Sequence, residues 1–196
     1  MSLNVGESRL AATGIGSEEA IVVLGRRHDT AYETEQDFTD CVAERLANTD
    51  VNLITEDHFV DALFPWFEPR TAPLKVGALP ALLQRPEVHA RIDSIGVRYI
   101  VWVDGQTEKL ESQGGMQCII GPAGGGCFGF GWWENESEYE AAVWDLKQQA
   151  AAGRVSADVF GTSYMPAIFI PIPLIARTDK QACKGLAKQL RDFIVD

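Results

Sequence analysis

The apolar residues of this chain change their period once, at Asp104-Gly105, and that change limits the folds open to it. Before it, short continuous apolar runs alternate with segments whose apolar residues recur every three or four positions. After it, the pattern is mostly period two, broken by Gly- and Ser-rich turns. The first pattern belongs to alternating buried strands and amphipathic helices, the second to an antiparallel meander. The fold class expected is therefore α/β (α+β). It is a single domain over residues 20–196 with a mixed sheet, a meander and a C-terminal helix, preceded by a flexible N-terminal segment over 1–19. At 196 residues the chain is long enough to bury a core, and no repeat or composition break divides it.

Residues 20–24 read as a buried strand ending at Gly25. Thr34 is the expected cap of a helix with Phe38, Cys41, Val42 and Leu46 on its apolar face. A second strand spans 51–54. Thr55 caps a helix with Phe59, Val60, Leu63 and Phe64, broken by Pro65 and Pro69. Residues 74–96 read as helix in two pieces split by Pro86, with Gly96 as the stop. Residues 97–103 make the strongest strand, rich in β-branched and aromatic residues on both faces and so central in the sheet. Five short strands are expected after it, at 107–112, 116–120, 127–133, 139–146 and 154–160. A last helix begins at Thr178, with Gln181 at capping-box spacing.

The net charge of −11 disfavours binding to phosphate backbones, and no basic cluster exceeds Arg26-Arg27, so nucleic acid is not an expected partner. No apolar run has the length of a transmembrane helix. Residues 1–19 lack the apolar centre of an export signal. Either the protein is cytoplasmic, or a signal has been removed; Met1-Ser2-Leu3, which resembles a cloning leader, favours removal.

Four cysteines, at 41, 118, 127 and 183, form no C-x-x-C pair, which excludes zinc-ribbon and thioredoxin-like readings. Cys118 and Cys127 flank a Gly/Pro turn that brings them into disulfide range. Cys41 and Cys183 pair if their helices pack side by side. The alternative is four small buried thiols. An even count with plausible pairings points to an oxidising compartment.

No motif implies a cofactor. The glycines of 121–131 run into Trp132-Trp133 rather than into a helix, and no Gly-Lys-Ser/Thr follows, so a phosphate loop is not expected; a hairpin tip is. His28, His58 and His89 have no second metal ligand at helical or strand spacing, and no metal site is expected. Ser163, His28 and Asp104 assemble a triad on paper, without the Gly-x-Ser-x-Gly elbow that would support it. Glu134, Glu136, Glu138 and Glu140 lack the pattern of a calcium loop and read as a solvated loop. Trp132, Trp133 and Trp144 either line an apolar ligand pocket or pack in the core.

The least ordinary stretch is 166–176, apolar throughout with Pro166, Pro171 and Pro173. Proline excludes it from a helix and from a central strand. Buried, it is an edge strand or crossing segment. Exposed, it is a contact patch made by Tyr164, Met165, Ile168, Phe169, Ile170 and Ile172.

The order of elements, the strand Gly96-Val97-Arg98-Tyr99-Ile100-Val101-Trp102-Val103-Asp104-Gly105 and the later Val143-Trp144-Asp145-Leu146 with Gly153-Arg154-Val155 resemble the amino-terminal domain of TolB and the related domain of curli-export and similar bacterial lipoproteins. The resemblance covers most of residues 20–194. It departs at 114–133 and at the Pro/Ile segment. It implies a non-enzymatic periplasmic or outer-membrane-associated domain that binds other envelope proteins. Membrane association would then run through a lost lipid anchor or the Pro/Ile segment. No catalytic residue comes with it. The rival expectation is a small hydrolase-like enzyme or ligand binder at the strand ends, using His28, Asp29 and Asp104.

Overall fold

A computed structural model describes residues 1–26, 34–68, 71–73, 76–122 and 124–195, with backbone only at 168 and 169. The elements in chain order are β1 (Ser2–Arg9), β2 (Ala20–Gly25), α1 (Gln36–Ala47), β3 (Asn52–Ile54), α2 (Glu56–Ala62), a 3-10 turn (Val76–Ala78), α3 (Leu79–Leu83), α4 (Pro86–Ile95), β4 (Val97–Gly121), β5 (Gly124–Asp145), β6 (Ala150–Pro171) and α5 (Thr178–Val195). One six-stranded mixed sheet has the order β1-β6-β5-β4-β2-β3. β2 runs parallel to β3 and β4, and the β4–β5–β6–β1 half is antiparallel. The fold is a single mixed α/β domain closed by a C-terminal helix.

Strands with apolar residues on both faces need a cover on each. On one face, Ile21, Val23, Tyr99, Val101 and Val103 pack with α1 and α5 around Phe38, Leu186 and Phe193. On the other, Val22, Leu24, Ile100 and Trp102 pack with α2, α3 and α4 around Phe59, Leu79 and Ile92. The central position expected for residues 97–103 is the one they occupy, between β2 and β5.

Helix ends follow local chemistry with two corrections. Thr55 caps α2, its hydroxyl accepting from the His58 amide at 3.4 Å. Pro86 opens α4 and so divides the helical stretch into two pieces as expected, and Gly96 ends α4 at φ +70°. Thr34 does not cap α1. Its hydroxyl donates to the Val103 carbonyl, and Glu35 stands at the cap position. Thr178 makes no capping box either; its hydroxyl accepts from Ser137 at 2.8 Å, tying α5 to β5.

Two further expectations change. Residues 1–19 are not wholly a flexible segment, because Ser2–Arg9 pairs along β6 from Phe160 to Gly153. The five short strands expected after residue 104 are three long ones, as glycines and serines that read as turns lie inside the ladders.

Cys41 is bonded to Cys183, joining α1 to α5 across 142 residues of chain. So long a loop gives a cross-link worth up to about 5 kcal/mol on the chain-entropy model. Replacing both cysteines by alanine is expected to lower unfolding stability by about 2–5 kcal/mol in a denaturant titration.

Tyr139 stacks on Phe38 and donates its hydroxyl hydrogen bond to the Glu35 carboxylate. Burial, reinforced by that carboxylate, pushes its pKa well above the ordinary value of 10.0. The folded state therefore favours the protonated phenol. That stabilisation is complete below the unfolded value and is lost as pH rises above about 10. Tyr139→Phe is expected to remove this part of the alkaline loss of stability, read from melts between pH 8 and 11.

Candidate functional site

The ladder β4–β5–β6 outruns its core. Helices cover the sheet near Tyr99–Val103, but β4 pairs with β5 as far as Gly121↔Gly124, and every β4 residue from 108 to 121 is exposed. β5 and β6 continue the same way, with Cys127 opposite Phe169. The result is an arm made of residues 112–121, 124–133 and 162–171. Residues 172–174 fold back along its outer side: Tyr164 and Leu174 exchange both backbone hydrogen bonds, at 2.9 and 2.7 Å, and the Ile172 amide donates to Pro166. Pro166 is tolerated because the pairing of Tyr164 turns that position's missing N–H away from β5.

A β-bulge marks the base of the arm. Leu110 and Glu111 lie between the pairs Lys109↔Asn135 and Ser112↔Trp133, opposite the single residue Glu134. Further out, Gly114 sits at φ +139°, where a Cβ would collide with the Phe130 carbonyl oxygen. Only glycine fits so close an approach. The Cys118–Cys127 bond pins the last part of the hairpin, with the two Cα atoms 4.0 Å apart.

The two faces of the arm differ. One carries Trp132, Phe130 and Phe128 on β5 beside Tyr164 and Pro166 on β6, with Gln113 and Gln117 on β4. Phe128 and Phe130 are each 49% exposed. The other face is continuous with the α1/α5 side of the sheet. Gly114, Gly129, Gly131, Ala167 and the disulfide dominate it, with Trp133, Met116 and Met165 among them. Near the tip, Ile119, Ile120 and Ile170 are 66%, 91% and 71% exposed. A contiguous apolar surface of this kind makes the arm the candidate interaction surface of the chain.

The residues proposed as a contact patch fall on this arm. Tyr164, Ile170 and Ile172 are exposed, and Met165 is half-buried. Ile168 and Phe169 take backbone positions opposite Phe128 and Cys127. The Pro/Ile segment is thus an exposed edge, not a buried crossing. Phe128, Phe130 and the Ile119-Ile120 tip complete the surface. Residues 116–120 and 127–133 are in strands as expected, but among the glycines none of these side chains stood out individually as part of the patch.

Among the described residues, the paper triad and the tryptophan pocket do not assemble. His28 and Asp29 lie outside the described residues. Asp104 accepts from Arg26 at 3.1 and 3.2 Å. Ser163 is buried, held by Asn135 and the Ala176 amide. Asp104 pairs with Glu140 and Ser163 with Trp133, seven residues apart on β5, which is roughly 23 Å at strand rise. Those two cannot share a proton, so the paper triad fails. Trp132 and Trp133 sit on the arm, whereas Trp144 pairs with Ile100 in the body, so the three line no common pocket. Glu134 to Glu140 are strand residues, not a loop; Glu140 accepts from Arg154 at 3.0 Å. Among the described residues no group of His, Cys, Asp or Glu is arranged to hold a metal ion. A groove of about 660 Å³ between the starts of α1 and α5 is open and lined mainly by charged side chains, including Glu35, Asp37 and Lys180. Glu35 is already engaged there, by the Tyr139 hydroxyl and the Thr107 amide.

No protein-family model matches the sequence, and no curated protein does. Among solved structures, the chain is similar to a dodecamer of a single-substitution variant of PelC from Paraburkholderia phytofirmans, with a TM-score of 0.50 and 10% identity over 100% of both chains. A second PelC dodecamer from the same organism has a TM-score of 0.47 and 13% identity, over 100% of this chain and 99% of that one. At such identity the likeness is one of fold.

Because no helix among the described residues covers the arm, its protection rests on the ladder and the Cys118–Cys127 bond. Selective reduction of that bond is expected to speed amide exchange in residues 116–129 at least tenfold while leaving exchange in β2 and α5 unchanged, measured by hydrogen–deuterium mass spectrometry.

Proposed function

We propose that this is an extracytoplasmic envelope protein that acts by assembling with copies of itself through the edges of its β arm. The reading makes it a contact protein rather than an enzyme. The observation that carries it is the state of those edges. β2 leaves β4 at Val103, and beyond that point no strand lies along the outer side of β4 among the described residues. On the opposite side the arm ends in the short exposed segment 172–175. A long uncovered edge with apolar side chains is a template for another strand, and soluble proteins usually blunt such edges.

The edges are unlike each other, so joining one to the other is a head-to-tail contact. Contacts of that kind close into rings when the rotation between copies closes. The dodecameric state of PelC, whose fold is similar, is consistent with a ring, although the number of copies here is a separate question. The two disulfides support an oxidising compartment, because such bonds form and persist there. An envelope setting also keeps the kinship with TolB-like and curli-export lipoprotein domains as a proposal.

The register identifies which amides face outward. Tyr164 exchanges its hydrogen bonds with Leu174, so Trp132 points its backbone groups towards β4, and Ser112, Gly114, Met116 and Cys118 point theirs away from β5. Met116→Pro removes an outward donor without touching the β4–β5 ladder. Wild type is expected to run as a defined oligomer in light scattering after gel filtration. Met116→Pro is expected to run as monomer or weakened oligomer, with the body melt unchanged. A monodisperse wild-type monomer at all concentrations would sink the reading.

A further inference from the structure

We infer that the aromatic face of the arm is seated in the hydrocarbon core of a lipid bilayer, so that the arm crosses a membrane as β-strands. The inference rests on the assembly reading above, which supplies the neighbours that close the edges.

Charge is the first argument. Residues 112–133 and 159–176 contain no Asp, Glu, Lys or Arg, although 23% of the chain is charged. These two segments contain the whole arm and its fold-back, and every β4 residue beyond the bulge is exposed. A surface facing water has no reason to exclude charge so completely, whereas a charged side chain at the bilayer centre is strongly disfavoured. The first charges towards the body, Glu111, Glu134, Asp158 and Arg177, lie at the arm's base.

Length is the second argument. Residues 112–121, 124–133 and 162–171 give each strand ten residues past the bulge. At ~3.3 Å per residue and the usual tilt of about 40°, that spans ~25 Å, the height of the apolar band of transmembrane barrels. No helix among the described residues is long and apolar enough to cross a membrane, a fact that does not bear on strands.

The distribution of aromatic types is the third. Trp132 and Tyr164, with Trp133 on the other face, form the row next to the charged base, and Lys109 lies over the Trp133 ring at 5.5 Å. Phe130, Phe128 and Ile170 follow towards the tip. Trp and Tyr at the headgroup level with Phe and Ile beyond is the order found at membrane interfaces. The alternate positions are mostly small or weakly polar, with Gly114, Gly129, Gly131, Ser163 and Ala167 outnumbering Trp133, Met116 and Met165, as on the side of a strand that faces away from lipid.

Backbone groups decide how the edges end. In hydrocarbon every N–H and C=O needs a partner, so strands cross only as a closed barrel. The open β4 edge and the exposed 172–175 segment are the two sides that a ring of copies would join. Gln113 and Gln117, the polar side chains on the aromatic face, belong to β4 and so lie beside that seam.

The test uses the full chain, diluted from mild detergent into vesicles of phosphatidylethanolamine and phosphatidylglycerol at 3:1. Flotation and quenching of tryptophan fluorescence by brominated acyl chains are the readouts. Wild type is expected to float and to be quenched. Phe128→Asp and Phe130→Asp are each expected to lower partitioning at least tenfold, while Ser112→Asp, on the opposite face, lowers it less than threefold. Far-UV spectra and body melts check that each variant folds. Failure of wild type to float, with the oligomer intact in solution, overturns the membrane seat and leaves the assembly reading standing; the aromatic face then packs on protein. Flotation lost equally on substitution at either face also overturns it. A lipid-bound monomer lacking edge-to-edge contacts would overturn the assembly reading, and with it the closed barrel.

Discussion

One uninterrupted backbone ladder, β4–β5–β6, sets the rest of this structure. Inside the body it is the middle of a sandwich, with helices on both faces and β2 along its side. Past Val103 the same hydrogen bonds continue while β2 stops, and past Thr107 the helical cover stops as well. The ladder satisfies the strands against one another, but it hides neither the side chains on their faces nor the amides on their edges. Everything unusual about the molecule follows from that mismatch between ladder length and core length.

The features around the mismatch are consistent with an arm meant to be met by something else. The α1–α5 disulfide and the Glu35–Tyr139 contact hold the body where the ladder leaves it. The bulge opposite Glu134 separates a charged, water-facing base from a charge-free extension. The Cys118–Cys127 bond fixes the register of a hairpin so rich in glycine that its pairing would otherwise be weakly specified. Stability is thus concentrated in the body, and exposed apolar surface in the arm.

Much of the body was legible in the sequence. The two-sided apolar runs at 20–24 and 97–103 marked the sheet centre, and Thr55 and Gly96 marked helix ends by chemistry that the structure uses. The arm was legible only in fragments. The Pro/Ile stretch stood out because three prolines in an apolar run fit neither helix nor central strand. Its partner strands were legible at 116–120 and 127–133 but not as one continuous ladder, because glycine and serine at 112–115 and 121–126 carry the same signal whether they turn a chain or let two strands approach closely. The acidic residues 134–140 were misread for a related reason: alternate glutamates mark one solvated face of a strand as readily as a loop. Thr34 and Thr178 were misplaced as caps because tertiary partners, Val103 and Ser137, compete for their hydroxyls. Ser2–Arg9 has too few apolar residues to announce a strand, and only its place along β6 makes it one.

The most direct measurement of the central claim is electron microscopy of the purified full chain in detergent. The account predicts closed rings in which the arms of all copies converge on one end and form a continuous wall. Isolated protomers with solitary arms, or rings joined only through their helical faces, would contradict it.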